Sequence, residues 1–137
     1  MADAINAFGT TITRDAVEIA YVTNIGGPGF SRNTIDATHH KSPAMWAQFI
    51  KGIKDGGEVS LDLNFDPANA THNAATGVLA DFEDDVNISN WVITFPDTAG
   101  TQWSFPGIVT GFEPAEPFDD KLSASVTIKV AGQPTLA

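Results

Sequence analysis

The sequence has 137 residues, no cysteine and a formal net charge of −10, from 7 basic and 17 acidic residues. This length predicts one domain over residues 1–137, and the missing thiols exclude disulfides, thiolate metal sites and cysteine nucleophiles. The acidic excess argues against a general nucleic-acid binder and against docking on anionic membranes, because both need clustered basic groups. Residues 1–9 lack the features of a signal peptide and are expected to form an N-terminal arm.

The first part of the chain is expected to contain strands and then a long loop. Residues 17–23 are typical of a strand, while residues 10–13 and 34–38 are weaker candidates. Residues 24–42 are predicted to be a loop, because glycine and proline concentrate there. Loops of this length in compact domains are usually functional or disordered. The residues of interest in this loop are Gly26, Gly27, Pro28, Gly29, Phe30 and Arg32.

One helix is predicted after the loop. Four apolar residues at the spacing i, i+3, i+4 and i+7 share one stripe, and they are Trp46, Phe49, Ile50 and Ile53. Ser42 is a suitable N-cap, Pro43 fits the first helical position, and Gly56 with Gly57 can end the helix. We expect the four apolar side chains to form the packing surface between this helix and the sheets. A second, shorter helix is possible at residues 73–82.

Alternation with a period of two dominates the rest of the chain. It is clearest in residues 58–65, where Asp62 and Asn64 fall on the polar face. Further strands are predicted at residues 91–95, 101–105, 108–112 and 121–130. Residues 113–120 are predicted to be a loop because they contain two prolines, and residues 132–137 are expected to be a tail. The whole pattern predicts a mainly β fold, a sandwich or barrel with one flanking α-helix.

No candidate for catalysis, metal binding or cofactor binding stands out. His39 and His40 are neighbours in an extended segment and so point to opposite faces, while His72 is distant in sequence. The acidic residues 81–85 lack the ligand spacing of a calcium loop, and residues 26–29 lack the Gly-Lys-Ser/Thr ending of a phosphate loop. We therefore expect a protein that is not an enzyme and that has no cofactor or metal.

A β domain with many strand edges must cover them, and pairing with further subunits is one way to do so. A carbohydrate-binding or adhesin-like sandwich is an alternative that requires Trp91 and Trp103 to be exposed together as a sugar platform. An enzyme is a further alternative, which requires a pocket with a converging acid–base pair.

The order of several segments resembles the major tail tube protein of long-tailed, lambda-like bacteriophages. Its most recognisable stretch is Gly-Pro-Gly-Phe-Ser-Arg-Asn-Thr-Ile-Asp-Ala-Thr at residues 27–38. The Ser-Pro to Glu-Val-Ser unit at residues 42–60 follows. Similar segments occur at residues 64–67, 91–97, 105–112 and 120–135, so the resemblance covers nearly the whole chain.

The resemblance implies a structural subunit of the virion that is assembled in the bacterial cytoplasm. Such subunits form hexameric rings that stack into a hollow tail tube, and DNA leaves the particle through that tube. The implied partners are further copies of the chain, the tape measure protein and the tail terminator or tip proteins, with DNA only in transit and no membrane. A tube in a related contractile tail, secretion apparatus or gene-transfer particle is the alternative within the same class.

The resemblance also assigns roles to particular residues. In the family, inner strands of each subunit join into a barrel around the lumen. Asp62 and Asn64 are the candidates for facing it because they lie on the polar face of residues 58–65, and a position on the outer surface is the alternative. Residues 24–42 are the candidate ring-stacking loop, with Arg32 as a possible anchor. Because phosphates repel carboxylates, an acidic lumen favours sliding of DNA over adhesion.

Overall fold

The computed structural model describes residues 7–116, 118 and 120–137, and antiparallel strands account for most of its regular structure. The strands are β1 Thr11–Arg14, β2 Val17–Glu18, β3 Val22–Gly26, β4 Ser31–Asp36, β5 Phe49–Asp55, β6 Glu58–Asn64, β7 Ser89–Thr94, β8 Gln102–Ala115, β9 Ser123–Val130 and β10 Thr135–Leu136. The helical elements are a 3-10 turn, Pro43–Met45, and one α-helix, α1 Val78–Glu83. The predicted mainly β class is confirmed, although the single α-helix is α1 and not the predicted flanking helix. No helix in the described residues is long and apolar enough to cross a membrane.

The main sheet has eight strands, in the order β2-β1-β7-β8-β9-β6-β3, with β10 paired to β8. The long strand β8 belongs to two layers, because residues 102–107 pair with β7 and residues 107–115 pair with β9. Gly107 is the residue at which β8 changes partner. A Cβ atom there would lie 2.7 Å from Ile128 Cγ2 and 2.8 Å from Trp91 Cδ1, so the two layers approach too closely for a side chain.

The core lies between these layers and follows from the alternation of apolar residues. In β6 the buried residues are Val59, Leu61 and Leu63, and β9 and β7 contribute every second residue in the same way. Trp91 is fully buried, and its indole N–H donates to the carbonyl oxygen of Gly107 at 3.2 Å. Full burial of an aliphatic side chain such as Val59, Leu61 or Leu63 contributes roughly 1.5–3 kcal/mol of transfer free energy.

The helix predicted around residues 46–53 is wrong. Residues 49–55 form β5, which pairs with β4 in a separate two-stranded sheet. The four stripe residues do not form a packing core either, since Trp46, Phe49, Ile50 and Ile53 are 54–82% exposed. Pairing with β4 satisfies backbone hydrogen-bonding groups of this segment. A helix this short would depend on tertiary packing, which this segment lacks.

The predicted helix ends also have other roles. The Ser42 hydroxyl donates to Gln48 Oε1 at 3.0 Å and does not cap a helix. Pro43 does begin the 3-10 turn, but Ala44 has a φ of 52°, which ends regular helical geometry at once. Gly57 has a φ of +72° and lies against the carbonyl of Gly29, so it serves the β5–β6 turn.

Three predicted irregular segments contain strand. The loop over residues 24–42 is shorter than predicted, because β3 extends to Gly26 and residues 31–36 form β4. Residues 113–115 belong to β8, where Pro114 pairs opposite Ala124. Proline is tolerated there because this half of β8 pairs with β9 alone among the described residues. The C-terminal tail includes β10, and the N-terminal arm lies outside the described residues except for residues 7–9.

The second predicted helix is confirmed in part, as α1 begins at Val78 and packs against β8. The residues before it form turns instead of a helix. The Asn73 side chain accepts hydrogen bonds from the backbone N–H groups of Ala75, Thr76 and Gly77, which competes with helical pairing.

Candidate functional site

A polar surface covers the outer face of β6 and β9, opposite the core. Asp62 and Asn64 both lie on it, where the alternation placed them. Asp62 Oδ1 accepts from the Ser125 hydroxyl at 3.0 Å, and Asp62 Oδ2 accepts from Asn24 Nδ2 at 3.5 Å. The buried Oδ1 of Asn64 has no hydrogen-bond partner in the described part of the chain. This face therefore presents small polar groups and a carboxylate on a rigid sheet.

The sheet that carries this polar face has an open edge on each side. It consists of β3, β6, β9 and the second half of β8, residues 108–115. Over residues 7–116, 118 and 120–137, no strand pairs with β3 on the side away from β6, or with residues 108–115 on the side away from β9. An open edge presents unpaired backbone groups to another strand.

The second feature is the hairpin of β4 and β5, here called the arm (residues 31–55). It pairs with no strand of the main sheet in the described residues, and its apolar side chains Ile35, Phe49, Ile50 and Ile53 are all more than half exposed. The arm has four basic and two acidic residues, a net charge of +2, which leaves three basic and fifteen acidic residues elsewhere, a net charge of −12. An apolar, cationic arm on an acidic body is suited to contact other molecules.

The base of the arm forms one wall of a cleft of about 790 Å³. The Phe30 and Trp103 rings meet edge to face in it, with their centroids 5.1 Å apart. Arg32 lies directly opposite Lys54 in the hairpin register, so two cations share one face. Like charges placed this way destabilise a strand pair unless an anion compensates them.

The carboxylate nearest to these cations in the chain is already engaged elsewhere. Asp55 accepts from Lys129 Nζ at 3.1 and 3.3 Å and from the Gly57 N–H at 2.8 Å. The Gly57 hydrogen bond first, and Lys129 second, lower the pKa of Asp55, so the group is ionised and held. The remaining polar side chains that line the cleft, Ser31 and Gln133, carry no charge. Within the described residues, therefore, no carboxylate pairs with Arg32 or Lys54.

His72 is a structural residue that the sequence did not reveal. It is fully buried, its Nε2 is 2.6 Å from the Ala20 carbonyl oxygen, and its Nδ1 accepts the Asp66 N–H at 3.1 Å. The ring stacks on Phe65 and meets Tyr21 edge to face. His72 therefore ties the turns that precede α1 to β3 and β6. His39 and His40 are exposed, and no group of metal-ligating side chains occurs among the described residues.

The acidic residues in α1 and just after it divide into buried and exposed groups. Asp81 is buried, burial raises its pKa, and its Oδ2 has no hydrogen-bond partner in the described chain. Asp84 accepts from the backbone N–H groups of Val86 and Asn87, which lower its pKa. Glu83 and Asp85 are exposed beside the exposed apolar side chains Phe82 and Val86. The acidic turn (residues 82–86) is therefore an anionic and apolar protrusion.

The tryptophans do not form a sugar platform. Trp91 is fully buried under Gly107, and Trp103 is half-buried against Phe30. The carbohydrate-binding alternative requires both rings to be exposed together as a platform, and this geometry contradicts that requirement.

Comparison with known proteins decides the family. The family model described as lambda phage tail tube protein matches residues 4–137, nearly the whole chain. The chain belongs to the lambda phage tail tube protein family. The resemblance seen in the sequence is thereby confirmed. The chain has no significant match among curated protein sequences.

Several solved structures share the fold of this chain. A chain from the virion of a native gene transfer agent particle aligns with a TM-score of 0.76 and 20% identity, over 98% of this chain and 99% of that chain. A chain from the PVC sheath/tube terminator of an extracellular contractile injection system gives 0.76 and 12%, over 99% and 98%. A chain from the tube-terminating cap of the anti-feeding prophage gives 0.74 and 11%, over 100% and 93%.

Proposed function

We propose that this tail tube protein assembles into hexameric rings that stack into a hollow tube for the passage of DNA. The observation that carries the proposal is the polar sheet with two open edges, β3 on one side and residues 108–115 on the other. When β3 of one copy pairs with residues 108–115 of the next, no edge is left in a closed ring. The strands then form one continuous barrel.

The polar face of this sheet supplies the lumen in the proposal. Asp62 and Asn64 point to the side opposite the core, together with small serine and threonine side chains of β9. The hydrogen bonds from Ser125 and Asn24 hold Asp62 in place. Six copies of such a face repel phosphates in a low-dielectric channel wall, so a duplex slides and does not adhere.

The arm supplies the contact between rings. The proposed stacking residues Gly26, Gly27, Pro28, Gly29, Phe30 and Arg32 lead into it and form its root. The exposed apolar side chains of β5 explain why the arm needs a neighbour, because apolar surface of this kind rarely stays open in a finished particle. The proposed role extends beyond residues 24–42 to include β5.

Within this proposal the protein is a structural component of the virion with no catalytic activity and no cofactor. It assembles in the host cytoplasm with itself, the tape measure protein and the terminator or tip proteins. Solved relatives include a gene transfer agent and contractile injection systems, so a tube in such a particle is the second candidate. Self-assembly of the subunit is common to both candidates.

Electron microscopy of the purified, concentrated protein tests the proposal. We expect hollow tubes or stacked rings with six-fold symmetry, and particles without a central channel contradict it.

A deletion of residues 34–51 joins Asn33 to Gly52 and leaves the short loop Asn33-Gly52-Ile53 between Arg32 and Lys54, which remain paired. Glycine suits such a tight hairpin loop. This tip-deleted variant should stay folded but form no stacked tubes, whereas normal tubes from it refute the stacking role of the arm.

A further inference from the structure

The cleft at the base of the arm has the chemistry of a binding site for an acidic, apolar segment. Arg32 and Lys54 provide two neighbouring cations, and Phe30 with Trp103 provides an aromatic wall. Both cations are exposed, and neither takes part in an ion pair within the described residues. The cleft therefore combines uncompensated charge with apolar surface, as a docking site for a segment of the opposite charge does.

The acidic turn has the complementary chemistry. Glu83 and Asp85 are exposed and accept no hydrogen bond from another described residue, whereas Asp84 is occupied in shaping the turn. Phe82 is 46% exposed and Val86 is 86% exposed, so apolar groups stand on both sides of the two free carboxylates. The turn is fixed by the Asp84 hydrogen bonds, and a preformed turn loses little entropy on binding.

We propose that the cleft of one copy binds the acidic turn of a second copy, with Arg32 and Lys54 on Glu83 and Asp85 and the aromatic wall on Phe82 or Val86. This inference rests on the proposed stacking role of the arm. It adds the surface of the neighbouring copy, the acidic turn, that the base of the arm contacts. The partner is a copy of the chain because the body outside the arm carries a net charge of −12 and this turn joins that charge to exposed apolar side chains. The contact is heterologous, so it does not close on a pair and can continue from one copy to the next.

Charge reversal tests the contact. The variants R32E/K54E and E83K/D85K should each remain folded and fail to form tubes, and the combined four-residue variant should recover tube formation, because it restores opposite charges. The body variants K121E and E18K/E116K reverse charges of both signs outside the proposed contact and outside the arm, and both should assemble. Circular dichroism and thermal unfolding check the fold of each, and sedimentation with electron microscopy measures the fraction in tubes.

Engineered cysteines give a second readout that does not depend on tube yield. Because the chain has no cysteine, a mixture of Gln133→Cys and Val86→Cys proteins can form only one mixed disulfide, between the cleft and the turn. We expect at least about tenfold more mixed dimer than from Gln133→Cys with Glu18→Cys, which corresponds to the local concentration a specific contact creates. A yield equal to that control overturns the inference.

The outcomes separate this inference from the proposed function. If E83K/D85K assembles like the wild type, or the four-residue variant stays unassembled, the acidic turn is not the receiving surface. Failure of the tip-deleted variant to stack then still supports the role of the arm. If the tip-deleted variant stacks normally, the stacking role itself is refuted, and the mixed disulfide alone decides whether the cleft binds the turn. Inorganic phosphate should disrupt wild-type tubes at low ionic strength more strongly than sodium chloride does, because phosphate competes for Arg32 and Lys54. Equal disruption by the two salts counts against the cleft as a site for anionic groups.

Discussion

The substitution Gly107→Ala tests how closely the two layers pack where β8 changes partner. A Cβ atom at this position would lie 2.7 Å from Ile128 Cγ2 and 2.8 Å from Trp91 Cδ1, well inside normal contact distance. Ile128 and Trp91 are both fully buried, so neither can move without disturbing the core, and the carbonyl of Gly107 also accepts the Trp91 indole N–H. Overpacking of this kind costs about 1–3 kcal/mol, and we expect that loss in the free energy of unfolding.

Urea unfolding followed by tryptophan fluorescence measures this loss directly, since Trp91 is beside the substitution. The midpoint should fall while the slope stays the same, as expected when stability changes but the exposed surface does not. Gly29→Ala is the matched control, because its Cβ would meet no atom within 4 Å. Equal midpoints for Gly107→Ala and the wild type refute the close packing of the layers and the account of β8 as the strand that joins them.

Three further predictions concern the body outside the arm. His72→Leu should lower the free energy of unfolding by about 2–4 kcal/mol, because it leaves the Asp66 N–H and the Ala20 carbonyl unpaired; unchanged thermal stability contradicts this role. Asp81→Asn should stabilise the protein at neutral pH, since the raised pKa means that folding disfavours the ionised carboxyl; this gain should fade as the pH falls towards and below 3.8, and a gain independent of pH contradicts it. Asp62→Lys should leave the fold intact, because Asp62 is on the polar face, but should make assembled tubes retain short DNA duplexes in a filter-binding assay; equal retention by wild-type tubes contradicts the lumen assignment.

The predictable part of the fold is the part in which burial alternates along a strand. In β6 and β9 one face meets the core and the other meets polar groups, so a period of two appears directly in the sequence. The placement of Asp62 on the polar face followed from the same alternation. The two halves of β8 were predicted as separate strands because Pro106 and Gly107 interrupt the pattern, although the backbone continues through them.

The arm was mispredicted because its environment is not that of an ordinary subunit. The spacing of Trp46, Phe49, Ile50 and Ile53 matches a helical stripe by coincidence, while pairing with β4 makes the segment a strand. An exposed β-hairpin with apolar residues has no core to impose alternation, so periodicity carries little information there. Exposed apolar strands indicate a surface that contacts other molecules. The helical spacing rule assigned the same residues to a buried stripe and so concealed this indication.

The cleft and His72 depend on contacts between residues far apart in sequence. Arg32 and Lys54 become neighbours only through the register of the arm, and Trp103 reaches Phe30 from β8. His72 gains its partners from Ala20 and Asp66 once the turns before α1 have folded. Local propensity and spacing contain none of this information, since they describe residues along a single segment.

Cryo-electron microscopy of assembled wild-type tubes tests the central claim most directly. We expect six subunits per ring, with β3 of each copy paired to residues 108–115 of its neighbour and the Asp62 side chain facing the central channel. A tube in which these edges stay unpaired, or in which Asp62 lies on the outer surface of the ring, refutes the proposed assembly.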